Sequence, residues 1–181
     1  MAILTLVHAD DPLLRLKAKK VRRFGQAVKT LIDDMVETMH ANGGLGLAAP
    51  QVGVSQRVIV IQLPEQEENE KKDPWAGKLI ALCNPEIVRA KGDEEENEEG
   101  CLSVPGYVGL VRRAATVTVK GYNPQGKEVR IKATGLLARA FQHEIDHLDG
   151  ILFIDRVESS DKIRRVEPVE AEESAPQEVS V

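Results

Sequence analysis

The apolar residues that follow Val28 recur with the spacing of one face of an α-helix. They are Val28, Leu31, Ile32, Met35, Val36 and Met39. Because residues three and four apart share a helix face, the pattern predicts an amphipathic helix that packs on a sheet or core. Asn42-Gly43-Gly44 follows, and glycine tolerates the left-handed conformation that ends a helix.

Short runs of β-branched residues predict strands in the middle of the chain. One run is Arg57–Leu63, and two alternating runs are Ala115–Tyr122 and Lys127–Ala133. The link between the last two, Asn123-Pro124-Gln125-Gly126, has proline and glycine where a turn favours them. These two runs are therefore predicted to form a β-hairpin.

Other segments are interrupted or strongly charged. Leu79–Val88 is similar to a strand but is broken at Asn84-Pro85. The stretches Glu65–Asp73 and Lys91–Glu99 consist mainly of charged residues, and we predict that both are loops.

A second helix is predicted to begin after Thr134, which can cap it, and to end before Gly150. Its apolar side consists of Leu136, Leu137, Ala140, Phe141 and Leu148. Two helices among short, hairpin-linked strands predict the α+β class rather than a doubly wound parallel sheet. We expect mixed or antiparallel short sheets around the second helix, with the first helix packed against the sheet.

The charge of the chain is concentrated near its end. The 181 residues carry 24 basic and 29 acidic side chains. Residues 166–181 hold five of the acids and no lysine or arginine, so the rest of the chain is balanced. We expect one domain over residues 1–165 and a disordered acidic tail over 166–181. A neutral body predicts no nucleic-acid binding.

The cellular compartment is predicted from what the sequence lacks. Met1–Val7 has no basic leader and no cleavage site, so no signal peptide is predicted. No apolar run reaches the length of a membrane span. The cysteines, Cys83 and Cys101, are expected to be free thiols in a reducing cytoplasm. We interpret Cys83 as a small buried residue.

The segment His143-Glu144-Ile145-Asp146-His147 matches the H-E-x-x-H pattern within the second predicted helix. His143 and His147 are four residues apart, so both imidazoles project from one helix face and can hold one metal ion. Glu144 then lies beside the ion and can accept a proton from water. The segment predicts a hydrolytic metal site. The alternative is a surface helix with two unrelated histidines.

Three sources compete to complete the ligand set. The third histidine of the long metzincin motif is excluded, because Phe153 stands at its position. Glu167 suits a thermolysin-like site by spacing but lies in the acidic tail. Cys101 offers a thiolate, which is a strong ligand for zinc or ferrous iron. Cys101 could also be a nucleophile paired with a histidine, which would leave Glu144 and the second histidine unexplained.

The segment Gly44–Gln51, GLGLAAPQ, is rich in small residues. It lacks the third glycine of a dinucleotide loop and the Gly-Lys-Ser/Thr of a phosphate-binding loop. Small residues let another backbone, such as an extended peptide, approach closely. The amide of Gln51 can donate to an oxyanion. A plain glycine-rich turn is the alternative interpretation.

Taken together, GLGLAAPQ, EGCLS and QHEIDH resemble, in order and separation, the three signature motifs of the bacterial-type peptide deformylases. The likeness extends from the N-terminal region to about Arg165. It implies a hydrolase that removes the N-formyl group from the N-terminal formyl-methionine of new polypeptides and releases formate. The implied partners are N-formyl-methionyl peptides and nascent chains.

The resemblance also implies the roles of individual residues. The implied metal ligands are Cys101, His143 and His147. They would hold one divalent ion, with Fe²⁺ expected and Zn²⁺, Ni²⁺ or Co²⁺ as alternatives. Glu144 is implied as general base and acid, and Gln51 and the backbone N–H of Leu102 as donors to the oxyanion. The implied groove and methionine-pocket residues are Leu45, Gly46, Leu136 and Ala140.

Four features depart from common relatives or stay open. Val108 stands where an arginine often lines the groove mouth. Arg139 replaces an aliphatic pocket residue, and either points away from the pocket or narrows it. Arg113 is either a partner of a carboxylate such as Glu99 or Asp146, or a surface residue. Relatives with a long basic C-terminal helix use it to dock on the ribosome, whereas this chain turns acidic, which leaves at most a transient ribosome contact.

Overall fold

The computed structural model describes residues 2–65 and 73–166 of the chain. Its strands form one sheet in the order β1-β2-β3-β4-β5, in which every neighbouring pair is antiparallel, and β6 pairs with β4. The strands are β1 (Gly46–Ala48), β2 (Val58–Gln62), β3 (Leu79–Gly100), β4 (Tyr107–Tyr122), β5 (Glu128–Thr134) and β6 (Ile163–Arg165). The helices are α1 (Gln26–Ala41) and α2 (Gly135–Leu148). The α+β class is confirmed.

Strand β2 lies between the two helices and is buried on both faces. Ile59 and Ile61 belong to the core that also contains the apolar side of α2. Val58 and Val60 belong to the core beneath α1, with Met35 among its members. Successive side chains of a strand point to opposite faces, so an unbroken β-branched run is what a strand covered on both sides needs.

The prediction of a loop at Lys91–Glu99 is wrong, because β3 continues to Gly100 and pairs with β4 up to that residue. The interruption at Asn84-Pro85 is confirmed as a shift of register between Cys83 and Glu86. Two of the acidic side chains in this part of the strand form ion pairs with cations. Arg112 and Lys162 contact Glu96, and Arg164 contacts Glu98.

The hairpin prediction is confirmed, since β4 and β5 pair from Thr116 with Thr134 to Tyr122 with Glu128. Thr134 is the residue that precedes α2, although its side chain makes no capping hydrogen bond in the part of the chain that the structure describes. Gly150 has a φ of 77°, and a Cβ there would lie 2.5 Å from the carbonyl oxygen of Arg15. This position therefore requires glycine.

Some predictions fall outside the described residues. Most of the charged stretch 65–73 and the whole of 167–181 lie there, including Glu167. Within the described ranges, neither helix combines the length and apolar character needed to cross a bilayer.

Candidate metal centre

Helix α2 brings the two histidines of the H-E-x-x-H segment together. Ile145 and Leu148 lie in the core beneath the helix, while the Nε2 atoms of His143 and His147 are 3.2 Å apart. His147 is buried and His143 is partly buried. When both ring nitrogens are unprotonated, their lone pairs point into the same space, which is the arrangement that a shared metal ion requires.

Cys101 completes a three-donor group, because it directly follows β3. Its Sγ lies 3.3 Å from Nε2 of His147, and one donor atom from each of Cys101, His143 and His147 lies within 4.8 Å of the other two. Tetrahedral bonds of about 2.0–2.3 Å would place ligand atoms roughly 3.3–3.6 Å apart. The three side chains therefore fit zinc or ferrous iron.

The carboxylate of Glu99 fixes the ring of His143. Its Oε2 accepts a hydrogen bond from Nδ1 of His143 at 2.9 Å. Because a carboxylate only accepts, the proton of the neutral ring lies on Nδ1 and leaves Nε2 free to bind a metal. Burial raises the pKa of Glu99, but hydrogen bonds from His143 and Arg113 outweigh it and lower that pKa to about 2.

Arg113 connects this carboxylate with a second one. It donates two hydrogen bonds to Glu99, at 2.9 and 3.0 Å, and one to Asp146. Arg156 also binds Asp146, at 2.7 Å. The interpretation of Arg113 as the partner of Glu99 or Asp146 is confirmed, and it binds both. Buried charges are tolerated in proteins when they are paired in this way.

The two histidines differ in their affinity for protons. Burial lowers the pKa of His143, but hydrogen bonds to Cys101 and Glu99 outweigh it and raise that pKa to about 10. Burial, together with the charge of His143, lowers the pKa of His147 well below its usual value. A cation bound between the two rings replaces the proton that they would otherwise hold, since metal binding and protonation compete for one lone pair.

Glu144 lies against the backbone of β1. A Cβ placed on Gly46 would be 2.9 Å from Cδ of Glu144, so this glycine makes room for the carboxyl group. Oε2 of Glu144 is buried and has no hydrogen-bond partner among the residues that the structure describes. Burial raises the pKa of Glu144 to about 7, although the charge of His143 opposes the shift. The group is therefore able both to accept and to release a proton near neutral pH.

Gln51 is held rigidly beside Cys101. It lies in a short 3-10 helix, Ala49–Val52, and its Oε1 accepts a hydrogen bond from the backbone N–H of Ala48 at 2.8 Å. Its Nε2 donates to Oγ of Ser103 at 3.2 Å and lies 3.4 Å from Sγ of Cys101. The amide donor is thus fixed next to the three-donor group.

A cleft of about 610 Å³ opens over this centre. All four residues implied for the groove and the methionine pocket line this cleft: Leu45, Gly46, Leu136 and Ala140. The proposed catalytic and metal-binding residues that also line it are Gln51, Cys101, Leu102, His143 and Glu144. Leu45 and Leu136 are 40% and 49% exposed, so apolar surface rims the opening. Val108 also lines the cleft.

The structure shows the direction of the Arg139 side chain, which the sequence left open. It lines the cleft and is 9% exposed, but its guanidinium is turned to Oε1 of Glu99, at 2.7 Å. The bond of Glu99 to His143 was missed. The signal lay in EGCLS, where Glu99 precedes the proposed ligand Cys101 by only two residues and can therefore reach the same site.

Comparison with known proteins identifies the family. The family model described as polypeptide deformylase matches residues 3–163. The chain belongs to the peptide deformylase family. It is 53% identical over 156 residues to the peptide deformylase of Desulforudis audaxviator, which covers 86% of this chain and 94% of that relative. The chain is thus a hydrolase of this family, whose members are metalloenzymes.

Solved structures of the family agree with the fold. The crystal structure of peptide deformylase from Ehrlichia chaffeensis superposes with a TM-score of 0.81 at 40% identity, over 89% of this chain and 91% of that one. The Met-Ala-Ser-bound enzyme from Acinetobacter baumannii gives a TM-score of 0.78 at 35% identity, over 86% and 99%.

Proposed function

We propose that this deformylase hydrolyses the formyl amide of N-terminal formyl-methionine with a divalent ion held by Cys101, His143 and His147. The supporting observation is that these three donors converge at a cleft that Glu144 also lines, and that one carboxyl oxygen of Glu144 is buried without a hydrogen-bond partner among the described residues. The chemistry that such an ion supplies is activation of a water molecule and polarisation of the formyl carbonyl. Every other step is assigned to the protein.

Glu144 moves the proton. Its carboxylate accepts a proton from the attacking water and then returns that proton to the departing amine of methionine. A pKa near 7, raised by burial, suits both steps. Gly46 keeps the space that this carboxyl group occupies.

Two donors stabilise the charge that develops on the formyl oxygen. They are Nε2 of Gln51 and the backbone N–H of Leu102, both from the wall of the cleft. Because Ala48 fixes the amide of Gln51, little reorganisation is needed during the reaction. Loss of one such donor typically costs about 10²–10³ in rate.

The cleft recognises the peptide. Leu136 and Ala140 contribute to an apolar pocket for the methionine side chain, whose burial contributes roughly 2 kcal/mol. Gly46 begins β1 and Leu45 precedes it. Among the described residues β1 pairs with β2 alone, so an extended peptide can add as a strand at its other edge. The relative bound to Met-Ala-Ser supports a product of this kind.

The native ion in this proposal is Fe²⁺, which the resemblance to the family implies and which a thiolate with two imidazoles suits as well as it suits zinc. Iron and the Cys101 thiolate both oxidise, so iron-loaded protein should lose activity in peroxide faster than zinc-loaded protein. Equal rates of inactivation would contradict the assignment of iron.

The catalytic unit proposed here is residues 1–165, acting in the cytoplasm on nascent chains. A transient contact with the ribosome is compatible with such a substrate, and no charged surface is assigned to it. Residues 166–181 have no role in the proposed chemistry.

Two rival functions make different demands. A cysteine nucleophile would need Cys101 with His147 alone and would leave His143 and Glu144 unused. A structural metal site in a peptide-binding module would need a fourth protein ligand, and in residues 2–65 and 73–166 the candidate group has three members.

Replacement of the proposed base tests the function. Glu144→Gln keeps the shape of the side chain but not its basicity, so bound metal should be retained while formate release from formyl-Met peptides falls about 10²–10⁴-fold. Undiminished turnover with full metal content would refute the role of Glu144.

A further inference from the structure

We infer that Arg139 is a positioning residue of the metal centre, which holds Glu99 in the orientation that fixes the ring of His143. This inference rests on the proposed function, because it concerns the same metal site. Arg139 and His143 are four residues apart on α2 and bind opposite oxygens of one carboxylate. The helix therefore grips Glu99 at two points, one turn apart.

The carboxylate of Glu99 has its hydrogen-bonding capacity filled. Oε1 accepts from Nε of Arg113 at 2.9 Å and from Nη1 of Arg139 at 2.7 Å. Oε2 accepts from Nη2 of Arg113 at 3.0 Å and from Nδ1 of His143 at 2.9 Å. Each oxygen thus has two donors, and one of the four is Nδ1 of His143. Removal of Arg139 therefore takes one donor and one positive charge from the carboxylate that orients His143.

Arg113 alone does not replace Arg139, because it is shared. It neutralises Asp146 as well as Glu99. Among the described residues, Glu99 is the only carboxylate that Arg139 contacts. All of these side chains are nearly buried, where an unbalanced charge acts strongly on its neighbours.

Arg139 also connects the helix with both long strands. Nη1 donates to the carbonyl oxygen of Val111 on β4 at 2.9 Å, and Nη2 donates to that of Glu95 on β3 at 2.6 Å. Cys101 follows β3, whereas the two histidines come from α2. One planar fork thus joins the elements that bring the three proposed ligands together.

Metal affinity tests the inference without substrate. Metal-free full-length protein is titrated with Zn²⁺ in competition with a chromophoric chelator, and its melting temperature is recorded in parallel. Arg139→Met keeps most of the stem and removes the fork, and we expect zinc to bind at least about tenfold more weakly, as is typical when a partner of a metal-binding histidine is disturbed. Unchanged zinc affinity in the folded variant would overturn the inference and leave Arg139 a stabilising residue only.

A matched control uses a neighbouring arginine whose carboxylate partners lie at the protein surface. Arg112 is 51% exposed and contacts Glu96 and Glu158. Arg112→Met should bind zinc as tightly as the unaltered chain. Equal weakening in both variants would show that loss of any arginine in this region suffices, which would contradict a specific role for Arg139.

A double variant shows whether Arg139 acts through Glu99. If it does, Glu99→Gln and Arg139→Met together should weaken zinc binding little more than Glu99→Gln alone. Independent, multiplicative losses would contradict action through Glu99.

Arg139→Lys covers the case in which the methionine variant does not fold. A lysine keeps the charge but cannot reach Glu99 and both carbonyl oxygens with one fork. We expect partial recovery, with zinc affinity between those of Arg139→Met, where measurable, and the unaltered chain. Full affinity in Arg139→Lys would overturn the inference. Failure of the unaltered chain itself to bind zinc would instead contradict the proposed function.

Discussion

The carboxyl group of Glu144 and the backbone of Gly46 are in such close contact that a methyl group on Gly46 would lie 2.9 Å from Cδ of Glu144. The two residues come from different elements, α2 and β1. Their contact places the proposed base at the edge of the strand where the peptide would lie. The contact also explains why position 46 is a glycine, although its backbone conformation would allow any residue.

Gly46→Ala should therefore reduce turnover without unfolding the protein. The added Cβ displaces the carboxyl group of Glu144, and a shift of about 1 Å can cost 10²-fold in rate. Formate release is measured beside metal content, which should stay unchanged.

Gly25→Ala is the matched control for that substitution. In the described ranges nothing lies within 4 Å of a Cβ at Gly25, and its φ of 177° is extended backbone that alanine adopts. Activity should be unaffected. If Gly46→Ala were as active as Gly25→Ala, the tight contact with Glu144 would have no catalytic meaning.

Two adjacent glutamates on β3 should differ strongly in what they contribute. Glu99 is buried between Arg113 and Arg139, so Glu99→Gln leaves buried positive charge uncompensated and should cost about 3–5 kcal/mol of unfolding free energy. Glu98 pairs with Arg164 at the surface, so Glu98→Gln should cost roughly 0–1 kcal/mol. Urea denaturation of both variants measures the difference, and equal losses would argue against the buried network.

The two cysteines should differ in their reaction with iodoacetamide at pH 8. Cys83 is fully buried, and burial raises the pKa of its thiol to about 11, so little thiolate exists and the native protein should not be alkylated there. Cys101 lines the cleft and should react after chelation of the metal but not before. Intact mass after denaturation counts the labels. Alkylation of Cys101 at one rate with and without metal would mean that its sulfur is not a ligand.

Removal of residues 167–181 separates two sources of the third ligand. A site built from Cys101 and two histidines keeps every ligand, so a chain ending at Val166 should release formate at an unchanged rate. A thermolysin-like site with Glu167 would lose metal and activity together. Metal analysis of the truncated protein decides between them.

Local patterns predicted much of the fold, and the wrong prediction of a loop at Lys91–Glu99 has a physical cause. The helix around Met35 and the hairpin around Asn123 follow from periodicity and turn residues within one segment. The run Lys91–Glu99 was misread because its charges are balanced by Arg112, Lys162 and Arg164, which are distant in sequence. Pairing across strands is not visible in a local window.

The proposed site was predictable to the extent that spacing along one element defines it. His143 and His147 share a helix face, so their approach followed from the sequence. The placement of Glu99 between His143 and two arginines did not, because it depends on the distance between α2 and the paired strands β3 and β4. The same holds for Arg139, which was predicted either to point away from the pocket or to narrow it, and which instead turns its charged group to Glu99.

Formate release from formyl-Met-Ala-Ser by metal-free and reloaded protein tests the central claim most directly. Full-length protein is stripped with a chelator, checked for metal content, and assayed before and after addition of Fe²⁺ or Zn²⁺ under exclusion of oxygen. We predict no formate from the stripped protein and recovery of turnover with one equivalent of added ion per chain. Formate release by the stripped protein at the rate of the loaded one would contradict the account.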